Sequence, residues 1–177
     1  MSRRYAADTI VSAERTQAEI STLLGKHGAT ARAVGIDDAV SSSAFAFVTF
    51  ALGGRRIRVE VPLPEVSSSE SRPRGWWQWS DDRQRSWTVG RREQRERSTW
   101  RGLLLLLRAK LEAIEGGYSS VEREFLADVL LPGGQSVGQL VSGVVEMAYT
   151  TGTHPRLLTE AAAAPKELGP AGASGVG

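Results

Sequence analysis

All five tryptophans of this 177-residue chain lie between residues 74 and 102, where arginine is also most concentrated. Residues 72 to 110 contain eleven basic and four acidic residues, although the whole chain carries a net charge of only +2. Arginine neutralises phosphates and releases counterions, and an exposed tryptophan face stacks on an unpaired base for about 1 to 3 kcal/mol. The segment is therefore a candidate for binding a flexible single strand of nucleic acid.

The candidate binding residues come from two places in the sequence. One group is the arginines and tryptophans of this segment. The other is three arginines that follow a Gly-Gly turn, where a hairpin tip can reach a phosphate backbone. They are Arg55, Arg56, Arg58, Arg72, Arg74, Trp76, Trp77, Trp79, Arg83, Arg85, Trp87, Arg91, Arg92 and Arg95. We expect at least two of the four tryptophans in this set to be accessible. The alternative is a structural lid in which the tryptophans fold over the sheet and the arginines pair with Glu93 and Glu96.

Catalytic and metal-binding patterns are weak in this sequence. The chain has no cysteine, and its two histidines, His27 and His154, have no second ligand at metal-binding spacing. Neighbouring carboxylates occur only in short pairs typical of solvated turns, at Asp37-Asp38, Asp81-Asp82 and Glu122-Glu124. The glycine pair at 53 and 54 lacks the longer pattern of a phosphate loop. The sequence predicts no enzyme, no cofactor and no metal.

The basic residues are strongly biased toward arginine, which accounts for 19 of 22. Such a bias, with abundant alanine and glycine, is typical of a GC-rich genome and indicates a bacterial or bacteriophage source. It also weakens any inference that arginine was selected for bidentate contacts. The longest apolar run, Leu103 to Leu107, is too short to cross a bilayer, and no signal peptide is evident. We expect a cytoplasmic protein without membrane contact.

The first part of the chain predicts a helix followed by a small sheet. Ser12 to Gly28 has a capping serine, an apolar stripe and a closing glycine. Residues 31 to 36 and the alternating segments on either side of Gly53-Gly54 predict a three-stranded antiparallel meander. Residues 65 to 91 are polar and basic without a clear period, so they predict a flexible, tryptophan-rich linker.

The second part predicts helices only. Arg92 to Ile114 has a leucine-rich apolar face that includes Trp100, which is expected in the core. Ser119 and Glu122 have the spacing of a capping box before a short helix, and Ser136 to Tyr149 predicts another. Residues 159 to 177 predict a disordered tail, which leaves a single α+β domain over residues 1 to 158.

Several segments resemble a family of small uncharacterised bacteriophage and prophage proteins. They are YAADTIVSAERTQAEI, LLGKHGAT, GGRRIRVEVPLP and WRGLLLLLRAKLEAIEGGYSSVEREFLADVLLPGGQSVGQLV. The resemblance spans roughly residues 5 to 158 and is weakest in the linker. It implies a phage setting and no activity.

Separately, the element order matches the outline of a double-stranded RNA-binding domain, but the lysine-rich start of that module's second helix is absent.

The five consecutive leucines, 103 to 107, occupy every side of a helix, and Leu105 points away from the main apolar stripe. We expect Leu105 to be buried, either within the domain or at a homodimer seam.

The sequence as a whole favours a non-enzymatic phage accessory protein that binds nucleic acid, DNA rather than RNA. The alternative is a protein-interaction module that inhibits a host factor or defence system, because tryptophan and arginine also dominate protein hot spots.

Overall fold

The computed structural model describes residues 5 to 37, 44 to 63 and 72 to 152. The first helix, α1, spans Ala13–Lys26, and its N-terminus is capped by Ser12, whose hydroxyl accepts from the backbone N–H of Arg15 at 3.2 Å. Its buried side includes Ile20 and Leu24. The helix predicted between Ser12 and Gly28 is confirmed.

A three-stranded antiparallel sheet follows, in the order β1 (Thr30–Asp37), β2 (Phe45–Leu52) and β3 (Arg55–Pro62). Gly53 and Gly54 have φ of 56° and 73° and form the β2–β3 turn, which needs a backbone conformation that L side chains rarely adopt. The meander is confirmed, and the chain has the α+β architecture expected from its sequence.

The second helix, α2, spans Asp81–Glu115 and is 35 residues long, about 50 Å at 1.5 Å per residue. It begins eleven residues before the predicted start at Arg92, so the prediction of a flexible linker is wrong for residues 81 to 91. The physical reason lies at its N-terminus. Ser80 caps the helix through the backbone N–H of Arg83, and the acidic side chains of Asp81 and Asp82 complement the positive end of the helix dipole.

The core forms where α1 and the C-terminal half of α2 pack on one face of the sheet. Alternate residues of β2 and β3 supply the sheet side, and α2 supplies its leucine stripe and Trp100, which is fully buried. The residues contributed by these three elements are Ala46, Val48, Phe50, Ile57, Val59, Trp100, Leu103, Leu104, Leu107 and Leu111. The expectation that Trp100 lies in the core is confirmed.

A short helix, α3, spans Val121–Phe125 and continues into one 3-10 turn at Leu126–Asp128. Its cap is Ser120, which accepts from the backbone N–H of Arg123 at 3.3 Å, so the predicted cap at Ser119 is wrong by one residue. Phe125 packs edge-on against Phe50 with ring centroids 5.5 Å apart. The following strand-like segment pairs with the edge of β3, where the N–H of Leu130 donates to the carbonyl of Arg56 at 2.8 Å.

The chain divides into two compact units after Gly138. The last helix, α4, spans Val137–Thr151, close to the predicted bounds, and is almost uncharged. Among the described residues, no helix combines the length and apolar character needed to cross a membrane. The predicted tail at 159 to 177, His154 and residues 65 to 71 of the predicted linker lie outside the described residues.

Candidate nucleic-acid interface

A 3-10 turn at Trp76–Gln78 folds the chain back onto the start of α2. Gly75 introduces the turn with φ of 78°, in the left-handed region. The side-chain amide of Gln84 then donates to the carbonyls of Trp76 and Trp79, at 3.1 and 3.2 Å. One residue of α2 therefore holds both ends of the turn.

Three tryptophans form a packed group, here called the tryptophan cluster, made of Trp76, Trp79 and Trp87. The ring of Trp76 lies 4.9 Å from that of Trp87 at a steep angle and 5.5 Å from that of Trp79. Edge-to-face and tilted pairs at these separations are favourable because of the ring quadrupoles. All three members are half-buried, whereas Trp77 is 77% exposed. Trp77 is thus the one of the four that is largely exposed, and the other three keep part of their surface accessible.

Each ring of the tryptophan cluster carries an arginine. The guanidinium of Arg83 lies 4.1 Å from the Trp79 centroid, and those of Arg91 and Arg72 lie 5.2 and 5.4 Å from Trp87 and Trp76. A guanidinium within about 6 Å of an aromatic centroid is attracted by the ring, by about 0.5 to 1 kcal/mol at an exposed site. The close spacing of tryptophan and arginine in the sequence thus becomes direct stacking in the structure.

An open pocket of about 520 Å³ lies beside the tryptophan cluster, on the neighbouring face of α2. Its lining combines one indole, polar groups and two arginines one heptad apart on the helix: Trp76, Asp81, Gln84, Arg85, Thr88, Val89 and Arg92. The guanidinium of Arg85 also contacts Asp82 at 2.6 Å, a pair whose two side chains are well exposed. Exposed ion pairs of this kind contribute little, so Arg85 can exchange partners at small cost.

The remaining predicted arginines of the segment, together with Arg92 of the pocket lining, differ in exposure. Arg74 and Arg92 are exposed, and Arg95 is half-buried. Further along α2, Gln94 donates to the carbonyls of Ala7 and Thr9 at 2.9 and 3.0 Å, which ties the helix to the N-terminal segment. The candidate surface is thereby attached to the folded core through helix continuity and these hydrogen bonds.

The three arginines of the hairpin divide into two kinds. Arg55 and Arg56 are exposed at the start of β3. Arg58 instead donates to Asp37 at 2.9 Å and to Glu60 at 2.5 Å, and its guanidinium lies 4.4 Å from the Phe47 ring. Arg58 as a phosphate ligand stays a prediction, and its donors already face Asp37 across the sheet and Glu60 two residues along β3. Within the described residues, no hydrogen bond, ion pair or cation–π contact joins the hairpin arginines to the tryptophan cluster.

A half-buried carboxyl group, that of Asp128, lies in the turn after α3. Burial raises the pKa of Asp128 above its usual value, opposed by nearby Lys110 and reinforced by Glu60. Lys110 donates to Asp128 at 3.4 Å and to the carbonyl of Glu124, so it holds the turn after α3 against α2. In the described part of the chain, no three His, Asp or Glu side chains are grouped as metal ligands would be. His27, one of the two histidines, contacts Glu115 at 3.2 Å.

Sequence reasoning missed Gln84, Thr88 and Val89, which line the pocket. It missed them because residues 81 to 91 have no apolar stripe, and hydrophobic period was the main criterion for a helix. A signal was present at the cap: Ser80 followed by two aspartates marks a helix start. A helix from that point would have placed Gln84 and Thr88 one turn apart on the face that meets Trp76.

Comparisons of the chain with protein-family models, with curated proteins and with solved structures found no match.

Proposed function

We propose that this protein is a non-enzymatic accessory protein that binds nucleic acid and favours single-stranded DNA. The observation that supports this proposal most directly is the pocket in which Trp76 lies beside Arg85 and Arg92. A single strand offers unpaired bases for the indole and phosphates for the guanidinium groups. The volume of the pocket, about 520 Å³, is within the range of small-molecule sites.

The exposed Trp77 extends this surface. Its side chain is accessible and lies next to Trp76 in the chain, so a second base can stack without rearrangement of the fold. The tryptophan cluster already carries Arg72, Arg83 and Arg91 on its rings, and these cations stay close to any strand that approaches. Stacking supplies sequence-tolerant affinity, and the arginines supply a salt-dependent component.

The proposed setting is a bacteriophage infection, with the protein acting in the cytoplasm of a bacterial host on phage or host DNA. The resemblance to phage proteins and the arginine-rich composition support this part. DNA rather than RNA is part of this proposal, and the titration below compares the two. Self-association is included in the proposal, since a homodimer would present two copies of the surface to one strand.

One observation favours the alternative of a protein-interaction module. The rings of the tryptophan cluster are partly occupied by intramolecular arginines, so the surface already resembles the mixed aromatic and arginine patch of a protein hot spot. In that case the partner would be a host factor or defence protein. Binding would then depend less steeply on salt than phosphate contacts require.

The test is a tryptophan-fluorescence titration with single-stranded DNA, duplex DNA and single-stranded RNA at several salt concentrations. We expect quenching that is strongest with single-stranded DNA. Replacing Arg85 and Arg92 together by glutamine should reduce the slope of log K against log salt by about 1.4, the value for two phosphates of a single strand. Arg123→Gln, an exposed arginine on α3, is the matched control and should leave the slope unchanged.

Absence of quenching by any nucleic acid at low salt would overturn the proposal and favour the host-protein alternative. Equal affinity for duplex and single-stranded DNA would overturn the stated preference. Since Trp100 is fully buried, its emission provides a constant background against which the accessible tryptophans are measured.

A further inference from the structure

The outer side of α2, opposite the core, carries a continuous apolar stripe. The outer stripe consists of Gly102, Leu105, Leu106 and Ala109, at the spacing of neighbours on one helix face. Leu105 is 45% exposed and Leu106 is 42% exposed. The expectation that Leu105 is buried within the chain is therefore wrong, because Leu103, Leu104 and Leu107 fill the core side of the helix instead.

Gly102 lies at one end of the outer stripe, and no close contact there explains why this residue is a glycine. A Cβ added there would meet nothing within 4 Å, so the described part of the chain leaves room for a larger residue. Glycine also lowers helix propensity relative to alanine or leucine. A small residue beside two exposed leucines lets another helix approach closely and provides a hole for its side chains.

We propose that the outer stripe binds the same stripe of a second copy of this chain, with the two α2 helices antiparallel. A two-fold axis between Leu105 and Leu106 sets these leucines against each other and places Gly102 of one chain opposite Ala109 of the other. Large residues then meet at the centre and small residues at both ends. The stripe is thus self-complementary, as a two-fold interface requires.

Charge at the border of the stripe supports a second copy rather than an unrelated partner. Arg101 and Glu112 lie on the same side of the stripe, eleven residues apart, and in this register Glu112 of one chain comes within about 3 Å, along the helix axis, of the level of Arg101 in the other. Arg101 already contacts Glu19 at 2.7 Å, but a guanidinium has five N–H donors and can serve two carboxylates.

The proposed dimer specifies the self-association included in the proposed function. Only the biological role of the dimer, not its geometry, rests on that function. The surface is chemically separate from the tryptophan cluster and its pocket. Its test therefore uses protein without nucleic acid. Loss of the dimer and loss of DNA binding are separate outcomes.

The experiment measures molar mass by light scattering and sedimentation over a range of concentrations of the full chain. We expect a dimer for the unmodified protein. Gly102→Leu should fold normally, because its Cβ has open space, yet weaken dimerisation at least tenfold by blocking close approach. The matched control is Gly90→Leu, another α2 glycine whose Cβ would meet nothing within 4 Å, and it should remain dimeric.

A second pair of variants tests the centre of the stripe. Leu105→Asp should give a monomer whose melting temperature at low concentration matches that of the unmodified monomer, since the position is exposed within one chain. Leu126→Asp, at an exposed leucine beyond α3, is the control and should not change the mass. Glu112→Arg should weaken the dimer by placing two arginines together.

A monomeric unmodified protein at all concentrations would overturn the proposal, as would a Gly102→Leu variant that dimerises as tightly as Gly90→Leu. If the unmodified protein were monomeric and Leu105→Asp lowered its melting temperature, the stripe would be covered within its own chain, which also contradicts a second copy.

Discussion

The indole of Trp87 lies edge-on to that of Trp76, with 4.9 Å between ring centroids, and this contact joins the second turn of α2 to the 3-10 turn before it. The two residues are eleven positions apart and belong to different elements. Their contact shapes one wall of the pocket, because Trp76 also lines it. The geometry of the candidate site therefore depends on a residue that does not line the pocket.

Trp87→Ala tests this dependence. We expect the near-ultraviolet circular dichroism of the tryptophans to weaken and their emission to shift to the red, because Trp76 loses its edge-to-face partner. The melting temperature should change little, since no residue of α2 before Trp100 belongs to the buried core. Single-stranded DNA affinity should fall, but by less than the about 1 to 3 kcal/mol expected for removing a ring on which a base stacks directly. An unchanged near-ultraviolet spectrum would contradict the packed arrangement.

The hairpin arginines should separate into binding and structural roles. Arg55→Gln with Arg56→Gln should flatten the salt dependence of DNA binding and leave stability unchanged, because both side chains are exposed. Arg58→Gln should instead lower the free energy of unfolding by about 1 kcal/mol, since it loses two carboxylates and the Phe47 ring.

Urea unfolding and salt titrations of the same two variants give the comparison directly. Equal effects of both variants on the salt slope, with equal stability, would return Arg58 to the proposed binding surface.

Much of the fold could be predicted from local chemistry. The Ser12 cap, the Gly53-Gly54 turn and the alternation around Val48 identified α1 and the meander, because caps, turns and period-two patterns act over a few residues. The side of α2 that holds Leu105 could not be resolved in the same way. The helical period places Leu105 off the main apolar stripe, but it does not say whether another part of the chain covers that side.

The candidate site was predicted in composition but not in arrangement. Stacking of Arg83 on Trp79 depends on the helix that begins at Asp81, and that start has a cap but no apolar stripe to extend it. The ion pair of Arg58 depends on Asp37, which is 21 positions away and is brought within reach by strand pairing. Such contacts follow from tertiary geometry and have no local signature.

Trp100 provides a test of the core. Its ring is fully buried, and its indole N–H has no acceptor within hydrogen-bond distance among the described residues. Trp100→Ala should lower the free energy of unfolding by about 3 to 5 kcal/mol through the cavity it leaves. Trp100→Phe should lower it by only about 1 to 2 kcal/mol, because removal of an unsatisfied buried donor offsets part of the lost packing. Chemical denaturation of both variants measures the difference, and equal losses would show that the indole N–H is satisfied.

Asp128 should make stability depend on pH in the acidic range. Its folded-state pKa is raised, mainly by burial, so the folded chain holds this proton more tightly than the unfolded chain does. Stability from this group is therefore greatest below the unfolded pKa and decreases as the pH rises through the folded pKa. Asp128→Asn should remove that decrease. Melting temperatures of both proteins between about pH 3 and 6 test this, and a constant difference across the range would contradict it.

In the proposed dimer, one single strand of DNA should be able to contact the tryptophan clusters of both chains. In the antiparallel arrangement, Trp87 of each chain lies about 28 Å from the two-fold axis along the helices, so the two tryptophan clusters are about 55 Å apart. A strand long enough to reach both clusters should bind about tenfold to a hundredfold more tightly than a short one, because the second contact is intramolecular. Gly102→Leu should abolish this length dependence and keep the affinity for short strands, whereas Gly90→Leu should preserve both. Titration of each variant with short and long single strands at fixed salt decides the matter. A length dependence that survives in monomeric Gly102→Leu would mean that one chain alone follows the strand, without help from a second copy.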